Sequence, residues 1–216
     1  MSSIVLFGAG SPILGDVEET CLRLGLSVAA IVRNIGSATQ QDTIGPTISL
    51  EELTPRLLAL PMAFPLFSPA TRRFAWSHAS ALGAARFDPL IDPTAILPSR
   101  MTVEEGVYIN SGAVFGAFSR LGRAVFINRA AVIGHHVELD EFVSVGPGAK
   151  IGSNVRVGRG TVLGGGAVIL PGLAISENVI VAAGAVVTRD VPPNRVVMGN
   201  PARVVAVQRM SGTRGE

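Results

Sequence analysis

The chain has 216 residues, a formal net charge of +2, 48% hydrophobic and 5% aromatic residues, with 25 Gly, 14 Pro and a single Cys. Its 18 basic residues, all Arg except Lys150, are scattered without a run, which argues against nucleic-acid binding. Cys21 alone makes no disulfide framework or cysteine metal site, and neither a long apolar run nor a basic leader is present, so a cytoplasmic protein without membrane insertion is expected.

Residues 4–7 are β-rich and lead into Gly8-Ala9-Gly10-Ser11, then an amphipathic stretch carrying Ile13, Leu14, Val17, Cys21, Leu22 and Leu24. Gly25 suits the left-handed residue that ends a helix. Residues 26–32 read as a second strand, so strand, Gly loop, helix and strand open a βαβ unit. Free N–H groups at Gly8-Ala9-Gly10 would cradle phosphate at the helix N-terminus; a plain tight turn is the simpler reading. The third Gly of the dinucleotide fingerprint is missing, and Arg33-Asn34 rather than an acid ends the second strand. A nucleotide sugar or other diphosphate therefore fits better than NAD.

Residues 35–47 read as loop. Ser49 with Glu52 reads as a capping box before a brief helix at 53–58. A third strand is expected over 61–67, weakened by Pro61 and Pro65, and Ser68-Pro69 opens a helix running through Trp76 to Gly83. His78 on that helix reads as a surface or packing residue.

From Ile91 to Val187 an apolar residue recurs at every sixth position, seventeen times without a slip. Four residues after each comes a second inward candidate, small or β-branched in most cases, with Ser119 the plainly polar exception. A period of six fits neither a helix nor an ordinary strand. It fits a hexapeptide-repeat β-helix in which three hexads make one coil, giving a column roughly 27 Å long at a strand spacing of about 4.8 Å. The residue after each aliphatic is often Gly, Asn or Asp, types that tolerate a tight corner. The expected division is an N-terminal α/β substrate-binding domain at 1–88, a β-helix at 89–191, and an exit segment and tail at 192–216, frayed from about Ser211. The fold class is mainly β, a parallel β-helix preceded by a small Rossmann-like α/β domain.

His135 and His136, the only histidines in the repeat, fall at a corner. Imidazole accepts and releases protons near neutral pH, which suits a general base; two solvent-facing corner residues are the bland alternative. Glu138, Asp140 and Glu141 are candidate orienting acids. Adjacent histidines on a strand point apart and no third ligand has suitable spacing, so no metal is expected.

The segment Ile127-Asn128-Arg129-Ala130-Ala131-Val132-Ile133-Gly134-His135-His136, followed by Phe142-Val143-Ser144-Val145, resembles the bacterial sugar O- and N-acyltransferases, of the sialic-acid O-acetyltransferase and UDP-4-amino-sugar N-acetyltransferase type. The βαβ opening, the lead-in Pro89-Leu90-Ile91-Asp92-Pro93-Thr94-Ala95 and the exit Gly199-Asn200-Pro201-Ala202 extend the resemblance over nearly the whole chain. It implies a homotrimer of left-handed β-helices that transfers acetyl, or another short acyl group, from its coenzyme A thioester to a sugar nucleotide. His135 would be the general base with Asn128 nearby. Gly8, Ala9, Gly10, Arg33, Asn34 and His136 would hold the acceptor. Coenzyme A would lie in a groove between two β-helices, touching Gly165 and Ala183, with Ser144 close to the thioester. Corner amides, Gly146 among them, would stabilise the oxyanion. Arg189, Arg195 and Arg203 are candidates for its phosphates by charge. Two departures stand out: His136 replaces an acid that follows the base in many relatives, and Ser144 replaces a histidine. They motivate a second reading, a catalytically weakened scaffold or regulator that binds nucleotide sugars.

Overall fold

The computed structural model describes residues 2–33 and 43–207. Asn34, the expected loop at 35–42 and the tail from Ser211 lie outside the described residues. The first part of the chain forms β1 (Ser3–Phe7), α1 (Leu14–Arg23), β2 (Ser27–Val32), β3 (Thr47–Ile48), α2 (Pro55–Leu58), β4 (Met62–Ala63) and α3 (Pro69–Ala81). The four strands make one parallel sheet in the order β3-β2-β1-β4. α1 buries Leu14, Val17 and Cys21, and Gly25 follows it at φ 67°.

Three expectations shift here. Thr47 belongs to a strand and not to the loop, because it pairs with Ile31. Ser49 N donates to Glu52 Oε2 at 2.7 Å, but this box closes only a 3-10 turn at Leu50–Glu52. Thr54 caps α2 separately, accepting from Leu57 N at 3.4 Å. The third strand shrinks to Met62–Ala63, consistent with flanking prolines that cannot donate to a ladder. Ser68 and Pro69 start α3 as the sequence predicts.

The repeat builds a left-handed parallel β-helix of two-residue strands stacked on three faces. Residues eighteen apart pair, Phe126 with Ser144 and Ile127 with Val145. The first face runs through Leu90–Ile91, Tyr108–Ile109, Phe126–Ile127, Ser144–Val145, Val162–Leu163 and Ile180–Val181, and ends on the exit strands Arg195–Met198 and Arg203–Val207. The second face holds Val114–Phe115, Val132–Ile133, Lys150–Ile151, Val168–Ile169 and Val186–Val187; the third holds Thr102–Val103, Arg120–Leu121, Glu138–Leu139, Arg156–Val157 and Ala174–Ile175.

The sixth-position aliphatics and their small partners form one continuous core. Two polar residues point into it at little cost, because each hydroxyl bonds the next coil: Ser119 Oγ donates to Gly134 O at 2.9 Å and Thr161 Oγ1 to Ser176 O at 2.7 Å. The glycines after the aliphatics are explained by space and not by backbone dihedral. A Cβ on Gly146 would sit 2.5 Å from Gly165 N, and one on Gly164 2.5 Å from Ala183 N. The left-handed residues come two positions later and include Phe118, Ala124, Ala130, His136 and Phe142.

The α/β layer lies on the first face. Leu90, Tyr108, Phe126 and Ser144 point outward from the column yet are buried beneath it. Each large side chain among them contributes on the order of 1.5 to 3 kcal/mol. Trp76 on α3 reaches Phe87 and Phe142, with ring centroids 4.1 and 6.2 Å away. His78 packs edge-on to Phe7 at 6.1 Å, in a packing role. Among the described residues no helix is long and apolar enough to cross a membrane.

Candidate active site

The prism has three edges, each a column of corner residues eighteen apart. Between the first and second faces stand Ser111, Arg129, Pro147, Gly165 and Ala183; between the second and third, Ala117, His135, Ser153, Pro171 and Arg189; between the third and first, Arg123, Glu141, Arg159 and Glu177. In a three-sided column the second edge is opposite the first face. His135 therefore sits on the far side of the column from the α/β layer of its own chain.

At that edge both histidines are exposed. His135 Nδ1 and His136 Nδ1 are 2.9 Å apart, with the rings nearly perpendicular at 88°. His136 adopts φ 55° and stacks on Phe118, centroids 4.9 Å apart, while the Arg100 guanidinium lies 5.5 Å from the same Phe118 ring. His135 Nε2 has no hydrogen-bond partner among the described residues. None of the expected acids orients it: Glu138 faces Arg156, Asp140 Oδ1 accepts from Glu141 N, and Glu141 pairs with Arg123 at 2.6 Å.

Asn128 belongs to the first edge, and no hydrogen bond joins it to His135. Its Oδ1 accepts from Arg129 N at 2.8 Å and Asn110 Nδ2 at 3.2 Å. Asp16 on α1 fastens this corner to the α/β layer through Arg129 at 2.8 Å and Asn110 at 3.3 Å. Further up the same edge, the backbone N–H groups of Gly165 and Ala183 donate to nothing among the described residues. They form two stacked free donors with Pro147 beneath. Gly146, expected to contribute an oxyanion donor, does not: its N–H donates to Leu163 O at 2.7 Å.

Ser144 is also corrected. It is fully buried under the α/β layer, its Oγ donating to Phe67 O at 2.6 Å and accepting from Arg72 at 2.9 Å. It cannot reach a ligand in the groove. Its partner Arg72, which the sequence reading missed, is 1% exposed and pairs with no carboxylate among the described residues. It donates instead to six oxygens: the carbonyls of Leu66, Phe67, Ala124, Phe142 and Val143, and the Ser144 hydroxyl. Burial pulls this guanidinium down to about 9, with the charge of Arg73 adding to the effect, and it remains charged at neutral pH. The available signal was the outward positions of the first face, where Leu90, Tyr108 and Phe126 are too apolar for solvent.

The Gly loop is partly engaged. Gly8 N and Ala9 N both donate to Val32 O, at 3.0 and 2.9 Å, and Gly8 is packed under Leu66. The N–H groups of both Gly8 and Ala9 are thereby removed from the expected cradle. Those of Gly10 and Ser11 have no acceptor among the described residues, and both residues line, with Ala9, Phe67, Ser68 and Thr71, a pocket of about 290 Å³. Arg33 is exposed at the end of β2, its backbone N–H held by Ile48 O. Cys21 is buried in the α/β layer and burial pushes its thiol up to about 12, which removes it as a nucleophile. Near the exit, Arg189 lines a small pocket of about 150 Å³ with Ala202 and Val204, and among the described residues neither Arg189 nor Arg203 pairs with a carboxylate. Arg195 donates to Pro193 O and Asn194 O. Among the described residues no three His, Cys, Asp or Glu side chains gather as a metal site would require.

Residues 130–165 match the family described as bacterial transferase hexapeptide (six repeats). No curated protein is significantly similar to the chain. Among solved structures, the acetyltransferase domain of PglB from Neisseria gonorrhoeae, in complex with acetyl coenzyme A, is 30% identical over 94% of this chain and 98% of that one, with a TM-score of 0.80. PerB from Caulobacter crescentus, in complex with CoA and GDP-perosamine, is 26% identical over 95% of this chain and 98% of that one, at 0.82. WeeI from Acinetobacter baumannii shares the fold at 20% identity over 95% of this chain and all of its own, at 0.66. A repeat of this period, an α/β layer seated on one face and likeness running end to end place the chain in the hexapeptide-repeat family of bacterial sugar acyltransferases, and it is an acyltransferase.

Proposed function

We propose that the enzyme transfers an acyl group, acetyl in the first instance, from its coenzyme A thioester to an amino or hydroxyl group of a sugar nucleotide. The observation that carries this reading is the end-to-end correspondence with the Caulobacter enzyme, which holds CoA and GDP-perosamine together. In that enzyme, variants with one histidine replaced by Asn or Ala also hold both molecules. Both sites of that enzyme thus fill without the histidine; the proton-moving part proposed here for His135 rests on the chemistry of its ring.

In the proposed reaction His135 Nε2 takes the proton of the acceptor nitrogen or oxygen as that atom bonds the thioester carbonyl carbon. The carbon–sulfur bond then breaks, and the imidazolium returns the proton to the departing thiolate. No acyl-enzyme forms. Free corner amides such as those of Gly165 and Ala183 suit the cofactor groove. Arg189 and Arg203 suit its phosphates. The free amides of Gly10 and Ser11, with Arg33 at the end of β2, suit the nucleotide.

The acceptor pocket lies on the first face and His135 on the opposite edge, so one chain cannot bring them together. We therefore assign the active site to the junction of two copies in a homotrimer. The second face supports this, because Ile96 is 63% and Val132 45% exposed, with Val114, Val168 and Val186 in the same outward row. Acyl-CoA and a nucleotide sugar are cytoplasmic metabolites, which suits a cytoplasmic enzyme.

Mixing two inactive variants tests the arrangement. His135→Ala should lose roughly two to four orders of magnitude in kcat, and Ser11→Trp should block the acceptor pocket. Co-expressed at equal levels, they should regain up to roughly a quarter of the wild-type sites by random assortment of subunits. No regain would place both halves in one chain; an active His135→Ala enzyme would remove the base assignment.

A further inference from the structure

We infer that His136 is a positioning residue: its Nδ1 accepts the Nδ1 proton of His135 and so leaves His135 Nε2 as the basic atom. This rests on the proposed role of His135 and adds the element that sets which nitrogen acts. At 2.9 Å the two Nδ1 atoms share one hydrogen. If His136 donated it, the neutral His135 would carry its own proton on Nε2, the nitrogen facing the edge, and could not accept another there. If His135 donates, Nε2 has the free lone pair that a base needs.

The surroundings keep His136 a fixed, uncharged ring that can accept. His136 is fixed as a platform, with a left-handed backbone at φ 55° and its ring stacked at 27° on Phe118. Arg100 lies over that same Phe118, 5.5 Å from its centroid. A positive charge on His136 would add to that of Arg100, so the ring stays uncharged; once His135 carries the substrate proton both its nitrogens bear hydrogen, and an uncharged His136 can meet Nδ1–H only as acceptor. Among the described residues no acid bonds either histidine, and Glu138, Asp140 and Glu141 are engaged elsewhere. As Nε2 takes the substrate proton, the cation on His135 is stabilised through Nδ1–H donating to the His136 lone pair, and His136 neither gains nor loses a proton. It thus does with a lone pair what a carboxylate would do with a charge.

Two substitutions separate the acceptor atom from the ring. His136→Phe keeps the stack but offers no acceptor, and its backbone is tolerable because Phe118 and Phe142 hold φ 63° and 58° at equivalent corners. His136→Asn places an oxygen near the Nδ1 position, and Asn accepts this backbone readily. The chain has 3 histidines, so side-chain nitrogen NMR with labelled histidine resolves His135. In the resting wild-type enzyme its proton should be on Nδ1, and in His136→Phe it should move to Nε2. With acetyl-CoA and an accepted sugar nucleotide, His136→Phe should lose about 10- to 100-fold in kcat with little change in the KM for acetyl-CoA, and His136→Asn should recover most of it. A wild-type His135 protonated on Nε2 would overturn the inference, as would a His136→Phe enzyme with unchanged kcat. An active His135→Ala enzyme would instead overturn the base assignment, while the tautomer measurement would still read the pair directly.

Discussion

Replacing Arg72 with Met should destabilise the protein by about 3 kcal/mol or more. Of its six acceptors, Phe67 O would keep Ser144 Oγ and Val143 O would keep Phe126 N. The carbonyls of Leu66, Ala124 and Phe142 have no other hydrogen bond among the described residues. A buried acceptor left unpaired costs about 1 to 3 kcal/mol, so three cost about 3 to 9. Removing a buried charge recovers part of its desolvation penalty, which puts the expected loss towards the lower end. For a chain of this size that is roughly 6 to 12 °C in Tm, read by thermal and urea unfolding at matched protein concentration, since assembly contributes to stability. Arg72→Lys keeps the charge but not the planar fork and should fall between the two. A loss below about 1 kcal/mol in the Met variant would refute the reasoning, because the three carbonyls would then have found other partners.

Gly106→Ala should cost about 2 to 5 kcal/mol, combining a left-handed φ of 65° with a Cβ that would overlap the Trp76 ring. Gly148→Ala, at φ 64° with nothing within 4 Å, should cost only the dihedral part, about 1 to 2 kcal/mol, so equal unfolding midpoints would argue against the Trp76 contact. Asp92 is fully buried where the repeat begins and accepts from Thr94 N, Thr94 Oγ1, Thr20 Oγ1 and Arg23 at 2.9, 2.6, 3.0 and 2.7 Å. Burial alone would push its carboxyl up, but these donors outweigh it and hold the group below its ordinary value. The unfolded chain therefore binds more protons in the window just below about 3.9, and stability should fall as pH drops through it. Urea midpoints from pH 6 to 3 should show a shallower acid slope for Asp92→Asn; an unchanged slope would remove Asp92 from the account.

The fold was legible because its determinant is local and repeated. Each aliphatic from Ile91 to Val187 must point inward whatever its neighbours do, so period alone gives the column. The corner glycines were legible as corners but misread in cause, since the obstruction at Gly146 and Gly164 is the amide of the next coil, eighteen residues on. The same distance hid Ser144, which stands in a motif beside chemistry-bearing residues but faces a layer contributed by residues 67 and 72. Arg72 reads in sequence as one more surface cation on an amphipathic helix, and no local pattern distinguishes a guanidinium that meets six oxygens from one that meets water.

The sequence by itself determined the repeat, the coil length, the βαβ opening, the caps at Gly25 and Ser68, and the pair of histidines at a corner. Those features rest on side-chain period, on turn chemistry and on residue type, which act over a few positions. Only the tertiary structure decided which face the α/β layer covers, and hence that the pocket proposed for the acceptor and His135 lie on opposite sides of one column. Only it joined His135 to His136 rather than to an acid, and turned Ser144 from the groove into the core. Direction across a prism depends on how the three faces close around it, and closure is a property of the stacked coils that no single hexad contains.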